Sequence, residues 1–124
     1  MSQHSGKKIL VVEDDEVNLM IAQHILGKEG FIVSTVNNGE EAIDIVKKEL
    51  FDLILMDIEM PIMDGLEATP IIRGMENGKN IPIIALTAHS MPEKIEEFKG
   101  AGLDDHIIKP FDGTKFRSIS DKYL

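Results

Sequence analysis

The sequence predicts an α/β fold in which five parallel strands alternate with five helices, and three observations carry that expectation. Short runs rich in Ile, Val and Leu recur along the 124 residues. Stretches whose apolar residues follow helical spacing separate them. Gly, Pro or Asn punctuates most of the joins. Alternation of this kind implies a parallel sheet with helices on both faces and right-handed crossovers.

The first strand is Ile9-Leu10-Val11-Val12, a continuous β-branched run of the type buried on both faces of a parallel sheet. It stops at Glu13-Asp14-Asp15-Glu16. Val17, Met20, Ile21, His24 and Ile25 then follow helical spacing, and Gly27 and Gly30 close that helix. Phe31-Ile32-Val33 is a second strand, and Asn37-Asn38-Gly39 turns the chain into a helix carrying Ala42, Ile43, Ile45, Val46 and Leu50. The third strand, Leu53-Ile54-Leu55-Met56, ends at Asp57, and a loop with Pro61, Asp64 and Gly65 follows. A helix over about Leu66 to Met75 accommodates Pro70 only in or near its first turn, and is otherwise shortened or kinked there. Ile83-Ile84-Ala85-Leu86 forms the fourth strand, Met91 to Lys99 a charged helix broken by Ala101-Gly102, and His106-Ile107-Ile108 a weak fifth strand before Lys109-Pro110. Lys115 to Tyr123 reads as a short last helix.

Composition narrows the function. With 13 Lys+Arg against 22 Asp+Glu the net charge is −9, which argues against direct binding to nucleic acid. The absence of cysteine excludes a thiol nucleophile and any thiolate metal site. No apolar run reaches membrane-spanning length, so no membrane insertion is expected and a cytoplasmic setting is. Residues 1–7 read as a disordered polar tail and 8–124 as one domain. Met56, Met60, Met63 and Met91 read as core and loop packing, and His4 and His24 have no partner at metal-ligand spacing.

For five strands the flavodoxin-like (βα)5 arrangement, order 2-1-3-4-5, is the common solution, with its ligand crevice outside the carboxyl ends of the strands. Four polar features stand at those ends: Glu13-Asp14 after the first strand, Asp57 after the third, Thr87 after the fourth and Lys109 after the fifth. In that order all four face one crevice. Carboxylates gathered there repel one another, and a divalent cation relieves the repulsion. Oxygen ligands without thiolate select a hard ion, Mg2+ first. Taken singly, each feature has an ordinary explanation. Asp15 and Glu16 are helix N-terminal charges, a Thr after a strand is a turn residue, and Lys109 can face solvent. Their joint placement is what carries weight.

At these residues the chain resembles the receiver (response-regulator) domain of two-component and phosphorelay signalling, the CheY-like receivers. The matching stretches are ILVVEDDEVN, LILMDIEMPIMDG, ALTA, AGLDD and KPF, over about Lys7 to the C-terminus. The segment from Ala85 to Phe111 looks more like receivers of hybrid kinases and phosphorelays than like receivers of transcription factors. The resemblance implies that Asp57 is the phosphoacceptor, forming an aspartyl phosphate from a phosphohistidine donor. It implies that Glu13, Asp14, Asp57 and the backbone carbonyl of Glu59 hold Mg2+, with Mn2+ as the alternative. Lys109 would pair with the carboxylate and then with a phosphoryl oxygen, and Thr87 would donate its hydroxyl to the phosphoryl group. Thr87 and His106 would pass the change on as the switch, His106 standing where the family is often aromatic. Such a domain is a phosphoacceptor and not a turnover enzyme. Its partners would be a histidine kinase or histidine phosphotransfer protein and a downstream output protein or fused domain. That output would read the face of the fourth helix, fifth strand and fifth helix: Met91, Glu93, Lys94, Glu97, His106 and Phe111. Glu59 and His89 flank the site and are candidates for tuning the aspartyl-phosphate lifetime.

Three other readings compete. Asp57-Ile58-Glu59 is similar to the nucleophile motif of haloacid-dehalogenase-like phosphatases, although Glu13-Asp14 precede it where that family takes its metal acids from a late strand. A flavodoxin-like FMN binder needs hydroxyls and amides in its first loop, and Glu13-Asp14-Asp15-Glu16 repels a phosphate. A pseudo-receiver would be an interaction module using only the face from the fourth helix to the fifth strand, and the intact Asp57, Thr87 and Lys109 count against it.

Overall fold

Strands that are apolar on both faces must be covered on both faces, and the chain does this with two helical layers. The computed structural model describes residues 6–88 and 92–124. The elements are β1 (Lys8–Val12), α1 (Glu16–Lys28), β2 (Ile32–Val36), α2 (Gly39–Lys48), β3 (Leu53–Asp57), α3 (Gly65–Arg73), β4 (Ile83–Thr87), α4 (Pro92–Ala101), β5 (Asp105–Ile108) and α5 (Gly113–Tyr123). The five strands are parallel in the order β2-β1-β3-β4-β5, as expected. Side-chain alternation divides the core in two. Leu10, Val12, Ile54, Met56, Ile83 and Ala85 face α2, α3 and α4, meeting Ala42, Val46, Ala68, Ile72 and Phe98. Ile9, Val11, Leu53, Leu55, Ile84 and Leu86 face α1 and α5, meeting Leu19, Ala22, Leu26, Phe116 and Ile119.

The apolar face expected for α1 is the wrong one. Val17 and Met20 are 63% and 66% exposed, Ile21 and His24 are also exposed, and Leu19, Ala22 and Leu26 are buried instead. The helix carries two apolar stripes at helical spacing. Its phase is set by the N-cap, where the Asp15 carboxylate accepts hydrogen bonds from the Val17 and Asn18 amides at 2.8 and 3.2 Å. Gly27 lies inside the helix rather than closing it. The closure is at Gly30, whose φ of +89° suits glycine, with Gly30 N–H donating to the Gly27 carbonyl and Phe31 N–H to the Leu26 carbonyl. Among the described residues, a methyl group on Gly27 would meet nothing within 4 Å. Gly27→Ala is therefore expected to stabilise the fold by about 0.5–1 kcal/mol, measured by urea unfolding.

Other boundaries shift where caps overrule apolar spacing. β2 begins at Ile32, and Phe31 instead packs edge-on against Phe116 with ring centroids 5.5 Å apart. α2 ends at Lys48 and leaves Leu50 exposed. α5 starts at Gly113 because Asp112 caps it, accepting from the Lys115 amide at 2.8 Å. Pro70 lies beyond the first turn of α3, yet the helix continues to Arg73. Proline forfeits one intrahelical bond there. The capping box of Asp64 and Glu67 and the Thr69 hydroxyl donating to the Gly65 carbonyl at 2.7 Å anchor the helix nonetheless. Residues 1–5 of the expected tail, with His4, lie outside the described residues. Gly6 and Lys7 already hydrogen-bond to Gly30 and Ile32.

Candidate functional site

Parallel register delivers the polar residues to one rim. Val12 pairs with Met56, so Glu13 emerges beside Asp57. Asp57 pairs with Leu86, so Thr87 follows next to it. Thr87 pairs with Ile108, and Lys109 leaves the sheet with its N–H donating to the Thr87 carbonyl at 2.7 Å. Glu13, Asp14, Asp57, Glu59, Thr87 and Lys109 line a single cleft of about 250 Å³.

Asp57 is held from two sides. Its Oδ2 accepts from Lys109 Nζ at 2.9 Å and its Oδ1 from the Glu59 amide at 3.0 Å. Lys109 Nζ also stands 3.2 Å from Glu13 Oε1, while Glu13 Oε2 accepts from the Asp14 amide at 3.1 Å. Glu13, Asp57 and Thr87 are each 2% exposed, and Asp14 is open to solvent. Burial, then the hydrogen bond and charge of Asp57, push the Glu13 carboxyl up to about 7, against the opposing pull of Lys109. Burial alone would lower Lys109, but the hydrogen bond and charge of Asp57, joined by Glu13, outweigh it and the net shift is upward.

Carboxylate oxygens of Glu13, Asp14 and Asp57 lie within 4.8 Å of one another. One ammonium does not neutralise three carboxylates, and the excess negative charge in a buried cleft fits a hard divalent cation held by oxygen. The donor set therefore suits Mg2+.

The peptide between Lys109 and Pro110 is cis. His106 stands apart from the cleft. It lies on β5 opposite Ala85, lines two grooves along that edge of the sheet, and has its Nδ1 3.8 Å from Asp105 Oδ1. Of the expected output face, Met91 and the side chains of Glu93 and Lys94 lie outside the described residues, as does His89. Asp15, set apart from the acidic pair in the sequence, lines the cleft while spending its carboxylate on the cap of α1. Asn18 and Ala88 line the cleft and were not anticipated. Asn18 lies in the first turn of α1, whose N-terminus opens at that rim.

Residues 9–120 match the model of the response regulator receiver domain family. Among curated relatives, hybrid signal transduction histidine kinase I of Dictyostelium discoideum is 44% identical over 116 residues, which are 88% of this chain and 7% of that protein. The chain spans between 7% and 19% of the length of the curated relatives compared. The receiver domain of a sensor histidine kinase from Pseudomonas aeruginosa PAO1, solved with a magnesium ion coordinated in its active site cleft, superposes with a TM-score of 0.89 at 37% identity, covering 96% of this chain and 98% of that one. The chemotaxis protein CheY4 of Vibrio cholerae superposes with a TM-score of 0.91 at 32% identity, covering 97% and 100%. Fold, acidic cleft and sequence agree, and the chain belongs to the response regulator receiver domain family, the phosphoacceptor domains of two-component systems.

Proposed function

We propose that Asp57 is the phosphoacceptor of this chain and takes a phosphoryl group from a phosphohistidine on a histidine kinase or histidine phosphotransfer protein. The observation that carries this is the setting of Asp57. It is buried, oriented by the Glu59 amide, paired with Lys109 at 2.9 Å, and flanked by two further acids with oxygens within 4.8 Å. Phosphoryl transfer asks the protein for positioning and charge neutralisation more than for covalent chemistry.

In the transfer, a carboxylate oxygen of Asp57 forms the new bond to phosphorus. The phosphorus–nitrogen bond of the donor breaks, and its electron pair returns to the imidazole nitrogen. Glu13, Asp14, Asp57 and the Glu59 carbonyl would hold Mg2+, which when bound supplies positive charge to the phosphoryl oxygens. Lys109 shifts from Asp57 to a phosphoryl oxygen, and the Thr87 hydroxyl donates to another. Movement of Thr87 then biases a two-state equilibrium read at the face of α4, β5 and α5, with His106 on that path. The domain would turn over no substrate of its own. No described helix is long and apolar enough to cross a membrane, which is compatible with a cytoplasmic domain whose output passes to a partner protein or fused domain.

Intact-mass measurement after incubation with acetyl phosphate and Mg2+ tests the reading. The wild-type chain is expected to gain one phosphoryl group and Asp57→Asn none. No gain in the wild type would leave a surface-acting pseudo-receiver as the reading.

A further inference from the structure

We infer that Lys115 is a positioning residue for Lys109, an inference that rests on the proposed role of Asp57. Lys109 acts from a short segment between the end of β5 and the start of α5. On the sheet side, its N–H is fixed to the Thr87 carbonyl at 2.7 Å. On the outer side β5 has no neighbouring strand among the described residues, so none of them extends the sheet over that segment. Lys115 holds it instead. Its Nζ donates to the Ile108 carbonyl at 2.9 Å and to the Pro110 carbonyl at 3.0 Å, the two carbonyls on either side of Lys109. The lysine is itself anchored, because the Asp112 carboxylate that caps α5 accepts from the Lys115 amide at 2.8 Å. One ammonium with three donors thus clasps the backbone from which Lys109 reaches Asp57 and Glu13.

The clasp fixes where the Lys109 ammonium sits, and small displacements at a phosphoryl-transfer site are costly in rate. Lys115 is half-buried and is not among the residues lining the cleft, so its removal leaves the reacting groups in place but less firmly held.

The test is the rate at which acetyl phosphate and Mg2+ phosphorylate Asp57 in four full-length chains: wild type, Lys115→Met, Lys115→Arg and Lys122→Met. Lys122 lies on the same helix and pairs with Asp105 instead, at 3.3 Å, so it controls for loss of a positive charge. Lys115→Met is expected to slow the rate about tenfold with thermal unfolding close to that of the wild type. Lys115→Arg, which keeps the donors, should recover most of the rate, and Lys122→Met should match the wild type. A wild-type rate in Lys115→Met, or an equal loss in Lys122→Met, would overturn the inference and leave the role of Asp57 standing. If the wild type itself takes up no phosphoryl group, the reading of Asp57 fails and this role fails with it.

Discussion

In metal-free buffer at pH 8, Glu13→Gln should be more stable than the wild type by up to about 3 kcal/mol, and the advantage should fade below about pH 4.5. The carboxyl of Glu13 sits at about 7 in the fold against an ordinary 4.5, chiefly because it is buried and then because Asp57 lies beside it. A raised folded value means that the fold prefers the protonated acid. The stability this confers is fully present below pH 4.5, declines as the pH rises, and is gone above about pH 7. Glutamine carries no charge in either state, and its amide can donate to Asp57 while its carbonyl accepts from Lys109. Urea unfolding from pH 4 to 8.5 in chelator measures the difference between the two chains. A difference that stays constant with pH would contradict the prediction. If Glu13 is a Mg2+ ligand as proposed, Mg2+ should reverse the order, because the wild type then gains binding free energy that the variant loses in part.

How much of this was legible beforehand depended on what kind of residue carried the information. Strands β1, β3 and β4 were plain because both of their faces are buried, so the apolar run has no gaps. The site was plain for a related reason. A parallel sheet brings the ends of all its strands to one rim, so Glu13, Asp14, Asp57, Thr87 and Lys109 could be collected by looking just past each run. Helix faces were less legible. On α1 the stripe of Val17, Met20 and Ile21 competes with that of Leu19, Ala22 and Leu26, and only the cap at Asp15 and the sheet beneath decide between them. The early start of α5 rests on Asp112, a polar signal that apolar spacing does not register. His106 was placed with the switch on resemblance alone, and its position on β5 opposite Ala85 is what the register adds. The clasp of Lys115 on two carbonyls leaves no sequence signal, because main-chain acceptors have no letter.

A second large effect is expected at Gly65, where α3 begins against the end of β3. Gly65→Ala is expected to destabilise the fold by about 3 kcal/mol and to slow phosphoryl uptake at Asp57 about a hundredfold. The reason is space rather than backbone conformation. A Cβ at Gly65 would overlap the main-chain carbonyl oxygen of Asp57 and come within 2.7 Å of Met56 Cγ. A flexible side chain could yield, but the first obstacle is backbone in the middle of the sheet, held by pairing with β4. Either the N-terminus of α3 withdraws, breaking the capping box of Asp64 and Glu67, or the strand end carrying Asp57 moves away from Lys109. The first route appears mainly as lost stability in urea unfolding, the second mainly as a lost phosphorylation rate, and the crowding at this joint makes both contribute. Gly100→Ala is the comparison, since a Cβ there meets nothing within 4 Å. If Gly65→Ala unfolds and phosphorylates like Gly100→Ala, then the close approach of α3 to Asp57 does not hold Asp57 in place.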